Sequence, residues 1–285
     1  MVVQRFLKIV RPILVSALLL FAAANVLQYG IAAIIPSFNI LASKDLGKII
    51  FTLLVFGALG VFVYQQPPSF RKDWVKRNFL FLSSHHGLQI FFRCFLLFFT
   101  LHALFLGACY WAGVASFLPI GDISIISLTG KLLFGFAATF MLAFTEEIMF
   151  RGTIYPYLTQ WLRPLTAVLF TSLAFMIVHF LPNPVVQLAH DWPIAIGLFL
   201  LGFMLNLIFI KAGTMYANMG THAGLVFVKV ILRKIRFIAF APLNSLPWFL
   251  HSDLRQAPLV HLLFGLIIVG LCINMKTVLF KRPYK

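Results

Sequence analysis

The chain has only two glutamates, Glu146 and Glu147, and they are adjacent within an apolar run from Phe134 to Phe150. A carboxylate at membrane depth costs at least about 2.5–3.5 kcal/mol on insertion scales, so each side chain needs a partner or a chemical task. Neighbouring side chains on a helix point about 100° apart, so the two carboxylates are not expected to face the same place. Arg151 follows Glu147 by one turn, which is the favoured spacing for a helical ion pair. We therefore predict a structural Glu147–Arg151 pair that leaves Glu146 for catalysis; a purely structural role for both glutamates is the alternative.

Two histidines in apolar surroundings, His179 and His222, are the candidate partners of Glu146. If the helices on either side of residues 161–164 form a hairpin, Glu146 and His179 each lie about 24 Å from the turn at 1.5 Å per residue. His222 lies about 14 Å along its own helix from the turn at residues 211–213, and it reaches the same depth if the first hairpin extends about 10 Å further. We predict that the Glu146 carboxylate and the His179 imidazole lie within about 8 Å, one or two waters apart.

A carboxylate and two imidazoles that converge in a water-filled cavity suit two kinds of hydrolysis. In one, the carboxylate takes a proton from water, a histidine positions that water and another donor stabilises the oxyanion. In the other, glutamate and histidine side chains bind zinc, which acidifies the water. The spacing lacks the HExxH pattern, so the residues by themselves leave both mechanisms open.

Three motifs within residues 130–230 resemble those of the CPBP family of membrane proteins, which includes the type II CAAX prenyl proteases and the Abi or bacteriocin-processing proteins. Glu146, Glu147 and Arg151 match its EExxxR motif. Phe175 and His179 match its FxxxH motif, and His222 matches the start of its HxxxN or HxxxD motif. All three motifs in this order, in an apolar chain with no other glutamate, are a fairly specific signal.

The resemblance implies an intramembrane peptidase with eight helices. In it, Glu146 is the water-activating base, His179 positions the water, His222 helps to stabilise the oxyanion, and Glu147 supports the site together with Arg151. The family has been described both as zinc-dependent and as metal-free glutamate proteases. We expect metal-free chemistry with no cofactor, and zinc is the alternative.

One position departs from the family pattern. Val226 stands where the family has Asn or Asp, and a valine side chain donates no hydrogen bond. Losing one oxyanion donor typically costs about 10²–10³ in rate. Asn218, one turn before His222, and Asn206 in the preceding helix are the candidate substitutes.

The composition places the whole chain in a membrane. Of its 285 residues, 61% are hydrophobic and 11% are charged, whereas a soluble domain carries about 25% charged residues. The apolar runs are continuous rather than alternating, which indicates helices. We predict an all-α polytopic bundle that forms one transmembrane domain, 1–285, with its family-like core at about 130–230. The eight predicted spans are 12–35, 46–64, 90–113, 131–160, 164–180, 194–211, 214–230 and 257–276.

The net charge of +16 comes from short clusters of Lys and Arg beside the apolar runs. Such clusters orient a chain in the membrane and meet lipid headgroups, so we predict membrane lipid as a partner and no nucleic acid. Cys94, Cys109 and Cys272 have no metal-binding spacing. The segment 237–256 contains two prolines and is expected to be a surface loop or a re-entrant piece.

The leading hypothesis is an endopeptidase that cleaves a peptide or membrane protein, lipidated or not, near the cytoplasmic face of the bilayer. Its location would be a cell membrane, the inner membrane in a bacterium, with several spans. The first alternative is a catalytically weak or inactive relative that acts as a membrane binding or immunity protein. A proton-coupled transporter is less favoured, because the chain shows no repeated halves.

Overall fold

A computed structural model describes residues 57, 59–78, 85–118, 123–179, 191–235, 237–242 and 246–280. The predicted span at 12–35 and most of the span at 46–64 lie outside these residues. Contacts group the chain into two compact units, Met1–Lys76 and Arg77–Lys285. In the first unit, the Arg71 guanidinium lies 5.4 Å from the centre of the Tyr64 ring. The second unit contains all the candidate site residues, and the prediction of one domain stays a prediction.

The described residues form nine helices, two short strands and one π-helical segment. The helices are α1 (Pro68–Asn78), α2 (His85–Trp111), α3 (Ile125–Glu147), α4 (Tyr155–Leu158), α5 (Pro164–Val178), α6 (Trp192–Ala212), α7 (Met215–Ile235), α8 (Pro258–Asn274) and α9 (Lys276–Leu279). The strands are β1 (Ala115–Phe117) and β2 (Ile238–Phe240), and the π-helical segment Ile148–Ile154 joins α3 to α4. The six predicted spans from 90–113 onward therefore correspond to helices.

Three helical segments in the described part of the chain are long and apolar enough to cross a membrane. They are His85–Trp111, Ile125–Leu158 and Trp192–Ala212. Helices α5 and α8 are apolar but shorter. The chain is thus all-α and has the composition of a membrane bundle, as predicted, whereas the number of eight spans stays a prediction.

Helix α2 packs closely along α7 because two glycines remove the side chains at the contact. A Cβ atom on Gly220 would overlap the carbonyl oxygen of Phe91, and one on Gly224 would overlap that of Phe95. This spacing of small residues is typical of close helix contacts in membranes. The residue numbers increase in the same direction along both helices from the first contact to the second, so α2 and α7 are parallel. His222 lies between the two glycines and therefore at the level of residues 91–95.

Helix α5 approaches α6 at another glycine. A Cβ atom on Gly202 would lie 3.3 Å from the Cβ atom of Phe175 and 3.3 Å from the Cα atom of Ser172. The buried apolar residues of this core include Phe98, Phe150, Phe175, Leu198, Met204, Leu205 and Phe264. This core therefore includes apolar residues of the candidate site, such as Phe175.

The two strands form an antiparallel ribbon that links the ends of α2 and α7. Ala115 lies opposite Phe240, and Cys109 and Val114 pack beside them with Leu250. The ribbon lies beyond the C-terminal end of α7, whereas His222 lies near the N-terminal end. The segment 237–256 is thus only partly the predicted loop, because its residues 238–240 are a strand.

Asp253 fixes the chain between the ribbon and α8. Its carboxylate lies 2.6 Å from Lys229 Nζ on α7 and 2.6 Å from Arg255 Nη2. Burial alone would raise the pKa of Asp253, but the hydrogen bonds from Arg255 and Lys229 outweigh it and bring the pKa well below its usual range. Asp253 is therefore ionised, and its ion pairs with Lys229 and Arg255 hold the segment before α8 against α7.

Candidate active site

The paired glutamates lie where the backbone changes from α-helix to π-helix. Helix α3 ends at Glu147, and the π-helical segment begins at Ile148. The Thr153 hydroxyl donates to the Ile148 carbonyl oxygen, five residues earlier, at 2.9 Å. Single π-helical turns are rare and are frequent at functional sites. Glu147 and Arg151 thus stand on the two sides of this change in helix geometry.

The predicted ion pair of Glu147 and Arg151 is present and fully buried. Arg151 Nη1 lies 3.1 Å from Glu147 Oε1, and both side chains are 0% exposed. The second guanidinium nitrogen, Nη2, donates to the carbonyl oxygen of Gly202 on α6 at 2.7 Å. The guanidinium carbon also lies 5.1 Å from the centre of the Phe175 ring and 5.8 Å from that of Phe150. Arg151 therefore ties the π-helical segment to α6 as well as neutralising Glu147.

Glu146 meets both predicted histidines. Its Oε2 lies 3.9 Å from His179 Nε2 and 3.7 Å from His222 Nε2. These separations confirm the predicted approach of Glu146 and His179. They are longer than a direct hydrogen bond of about 2.7–3.2 Å. The side chains of Glu146 and His179 are 16% and 26% exposed, so the cluster is reachable from outside, while that of His222 is 4% exposed.

His179 is oriented by the backbone of its own motif. It stands at the C-terminal end of α5, and its Nδ1 lies 2.8 Å from the carbonyl oxygen of Phe175. A carbonyl oxygen only accepts, so Nδ1 carries a hydrogen, and when the ring is neutral the lone pair of Nε2 faces Glu146. The Phe175 ring is fully buried, and its centre lies 4.7 Å from that of His179. Phe175 thus supports His179 through both backbone and ring.

His222 lies between the two glutamates. Its Nδ1 lies 2.9 Å from Glu147 Oε1, while its Nε2 faces Glu146. We expected the two carboxylates to have separate surroundings, but they meet opposite nitrogens of one imidazole. The reasoning from helix geometry missed this contact because adjacent side chains that diverge can still reach the two edges of the same ring. Glu147 therefore orients His222 in addition to pairing with Arg151.

Asn218 does not have the predicted geometry of an oxyanion donor. Its amide nitrogen donates to Glu147 Oε2 at 3.1 Å and to the carbonyl oxygen of Leu205 at 2.6 Å, so both amide hydrogens are used. The reversed amide would place its oxygen against two acceptors, which rules that orientation out. Both donors of Asn218 are therefore engaged within the protein, which disfavours the hypothesis that Asn218 donates to a substrate oxyanion.

The other candidate substitute, Asn206, is also occupied elsewhere. Its amide nitrogen donates to Ser172 Oγ at 3.1 Å and to the Val168 carbonyl oxygen at 3.4 Å. Val226 lies one turn after His222 on α7 and is half-buried. Neither Asn218 nor Asn206 therefore supplies the donor that valine lacks.

The donor types of the cluster are those that zinc accepts, namely one carboxylate and two imidazoles. Among the described residues, however, no group of three or more His, Cys, Asp or Glu side chains is placed to hold a metal ion. Metal-free chemistry therefore stays a prediction.

Comparison with known proteins agrees with the motifs. Residues 128–228 match a family described as type II CAAX prenyl endopeptidase Rce1-like. No curated protein and no solved structure matches the chain. The matched region runs from α3 to α7 and includes all the residues of the cluster, and it is similar to the CPBP or CAAX protease family that the motifs resemble. The apolar helices of the described residues agree with an integral membrane protein.

Proposed function

We propose that this chain cleaves a peptide bond with a water molecule that Glu146 activates and His179 positions. The observation that carries the proposal is the position of Glu146 Oε2, which is buried, has no hydrogen-bond partner among the described residues and faces two imidazole nitrogens. A buried carboxylate oxygen with no donor is costly unless it has a task in the reaction. A water beside it would find acceptors in both Glu146 and His179 Nε2.

The reaction then proceeds by general base catalysis. Glu146 takes a proton from the water while His179 accepts its other hydrogen in a hydrogen bond, and the water oxygen attacks the carbonyl carbon of the substrate. The carbonyl oxygen becomes an oxyanion, which accepts a hydrogen bond from His222 Nε2. Glu146 passes its proton to the departing amine nitrogen as the carbon–nitrogen bond breaks, and the site returns to its starting state.

His222 can donate to the oxyanion only in its charged form. Its Nδ1 hydrogen is given to Glu147, and a neutral imidazole has no second hydrogen for Nε2. A positive His222 together with Arg151 balances the negative Glu146 and Glu147, so the buried cluster carries no net charge. This pairing keeps the charged form stable away from water.

We propose a prenylated C-terminal CAAX peptide as the first substrate to test, because the matched family is described by that substrate class. Other lipidated or leader peptides are the next candidates. Cleavage would occur near the cytoplasmic face of a membrane that the chain crosses several times, the inner membrane in a bacterium.

The test is cleavage of an internally quenched, farnesylated CAAX peptide by the purified full-length chain in detergent. Glu146→Gln keeps the size of the side chain but removes the base, and we expect it to lower kcat by about 10²–10⁴-fold. Thermal unfolding of the variant provides the control for folding. Unchanged kcat in Glu146→Gln would refute the role of Glu146. A wild-type chain that binds the peptide and never cleaves it would favour the alternative of a non-catalytic relative.

A further inference from the structure

We propose that Asn218 is a positioning residue that fixes the Glu147 carboxylate and, through it, the His222 imidazole. This inference rests on the proposed function of His222. Asn218 lies outside the three motifs, and its amide hydrogens are engaged by Glu147 and Leu205 rather than free for a substrate oxyanion.

The Glu147 carboxylate is held by three side chains from two directions. Oε1 lies 3.1 Å from Arg151 Nη1 and 2.9 Å from His222 Nδ1, and Oε2 lies 3.1 Å from Asn218 Nδ2. Without Asn218, a fully buried Oε2 would have no donor among these contacts. The carboxylate could then turn towards other donors, and the line from Oε1 to His222 would no longer be fixed. Asn218 therefore controls the direction in which Glu147 holds the imidazole.

Two side chains from one face of helix α7 form hydrogen bonds with the Glu147 carboxylate. Asn218 and His222 are four residues apart, so they lie on the same stripe of the helix. One contacts Oε2 and the other contacts Oε1. Asn218 is itself anchored to α6 by its hydrogen bond to the Leu205 carbonyl oxygen at 2.6 Å. The position of His222 relative to Glu146 thus depends on a series of hydrogen bonds that runs from α6 through Asn218 and Glu147 to His222.

Asn206 provides a matched control for this argument. Like Asn218 it is 0% exposed, and its amide nitrogen also donates to two acceptors. Those acceptors belong to Ser172 and Val168 on α5, not to either glutamate. Replacing either asparagine with leucine removes two buried hydrogen bonds at similar side-chain volume. Only the replacement of Asn218 should disturb His222.

The experiment compares Asn218→Leu and Asn206→Leu in the full-length chain, with cleavage of the farnesylated CAAX peptide as the readout. Residues that orient a metal ligand from the outer shell typically cost about 10–100-fold in activity when they are lost, and we apply the same range to a residue that orients His222. We expect this loss in kcat for Asn218→Leu with little change in KM, and kcat near the wild-type value for Asn206→Leu. In a His222→Ala background, Asn218→Leu should cause no further loss, because residues that act as a unit are not additive.

Several results would overturn the proposal. One is a wild-type kcat in Asn218→Leu, and another is a loss of kcat in Asn206→Leu that equals the loss in Asn218→Leu. A third is that Asn218→Leu lowers kcat by the same factor in the wild-type chain and in the His222→Ala background. Each leaves wild-type cleavage, and hence the proposed function, intact. Absence of wild-type cleavage would instead remove the reaction that Asn218 is proposed to serve. If Asn218→Leu does not fold, Asn218→Ala removes the same donor without a branched side chain, and the same criteria apply to it.

Discussion

Arg151 is the residue whose loss should most damage the folded state without touching a reacting atom. It is 0% exposed, and it gives one hydrogen bond to Glu147 and another to the Gly202 carbonyl oxygen. In Arg151→Ala, the negative Glu147 would stay buried without its permanent cation. We expect Arg151→Ala to be strongly destabilised, whereas Glu146→Gln should be nearly as stable as the wild-type chain.

The size of the effect follows from these contacts. Removing one partner of a buried ion pair costs about 3–5 kcal/mol, which lowers the ratio of folded to unfolded protein by about 10²–10⁴-fold. The rings of Phe150 and Phe175 also lose a buried cation, whose attraction is worth about 2 kcal/mol in a desolvated setting. His222 and Asn218 still donate to Glu147 and offset part of this loss. We therefore expect about 3–5 kcal/mol in total. Glu146→Gln leaves the Glu147–Arg151 pair intact, and His222 can lose its proton so that the cluster stays neutral. It should therefore change the free energy of unfolding by less than about 1 kcal/mol.

The assay is unfolding of the purified full-length chain in detergent, by heat and by titration with a denaturing detergent, together with the folded yield on size-exclusion chromatography. A double variant, Arg151→Met with Glu147→Gln, tests the cause, because it leaves no unpaired buried charge and should recover part of the stability. If Arg151→Ala and Glu146→Gln have the same stability, the separation of a structural glutamate from a catalytic one is refuted. No recovery in the double variant would show that packing, not charge, dominates.

Three further predictions concern the helix contact, the metal and the oxyanion. Gly220→Ala should lower stability by about 1–3 kcal/mol because the new Cβ atom would overlap the Phe91 carbonyl oxygen, whereas Gly265→Ala on α8 meets open space and should not; equal unfolding midpoints would contradict this. Peptide cleavage should survive treatment with chelators; stoichiometric zinc by elemental analysis, with activity lost on its removal and restored on its return, would refute metal-free chemistry. Val226→Asn should raise kcat, by up to about 10²-fold, because it adds a donor one turn from His222; a lower kcat in a folded variant would count against a shared oxyanion face.

The helices of the core could be predicted because each is a continuous apolar run that ends at a recognisable residue. Helix α5 begins at Pro164, where a proline at the first helical position needs no hydrogen bond for its nitrogen. Helix α6 ends at Gly213, whose positive φ of 65° is the conformation that ends a helix and favours glycine. These two turns define the arms on which Glu146, His179 and His222 lie, so their approach followed from counting residues.

The π-helical segment and the ribbon could not be predicted in the same way. The shift from an α-helix to a π-helix at Ile148 changes hydrogen bonds by one residue and leaves no pattern in the residue types. Each strand of the ribbon is three residues long, which is too short for an alternating pattern, and the partners lie far apart in the chain. Both features depend on tertiary contacts rather than on local preference.

The hydrogen bond from Asn218 to Glu147 was not predicted, although there were grounds in the sequence to expect it. An ionised carboxylate has about four sites for hydrogen bonds, and one arginine rarely fills them when the group is fully buried. The pairing of Glu147 with Arg151 therefore already required further donors. Asn218 and His222, one turn apart on a helix that reaches the same depth, were the polar side chains available to supply them.

Under the proposed function, positions 218, 222 and 226 on α7 form one stripe, whose contacts suggest how a valine can be accommodated in the third position. Asn218 and His222 direct their donors at Glu147, and Val226 has none to give, so the stripe offers the substrate only the Nε2 hydrogen of His222. A single donor stabilises an oxyanion best when it carries a charge, because a charge-assisted hydrogen bond is about twice as strong as a neutral one. The buried contacts around Glu147 favour that charge by holding an anion against Nδ1. With valine at position 226, the proposed reaction would therefore depend more strongly on Glu147 and Asn218, which act on the substrate through His222.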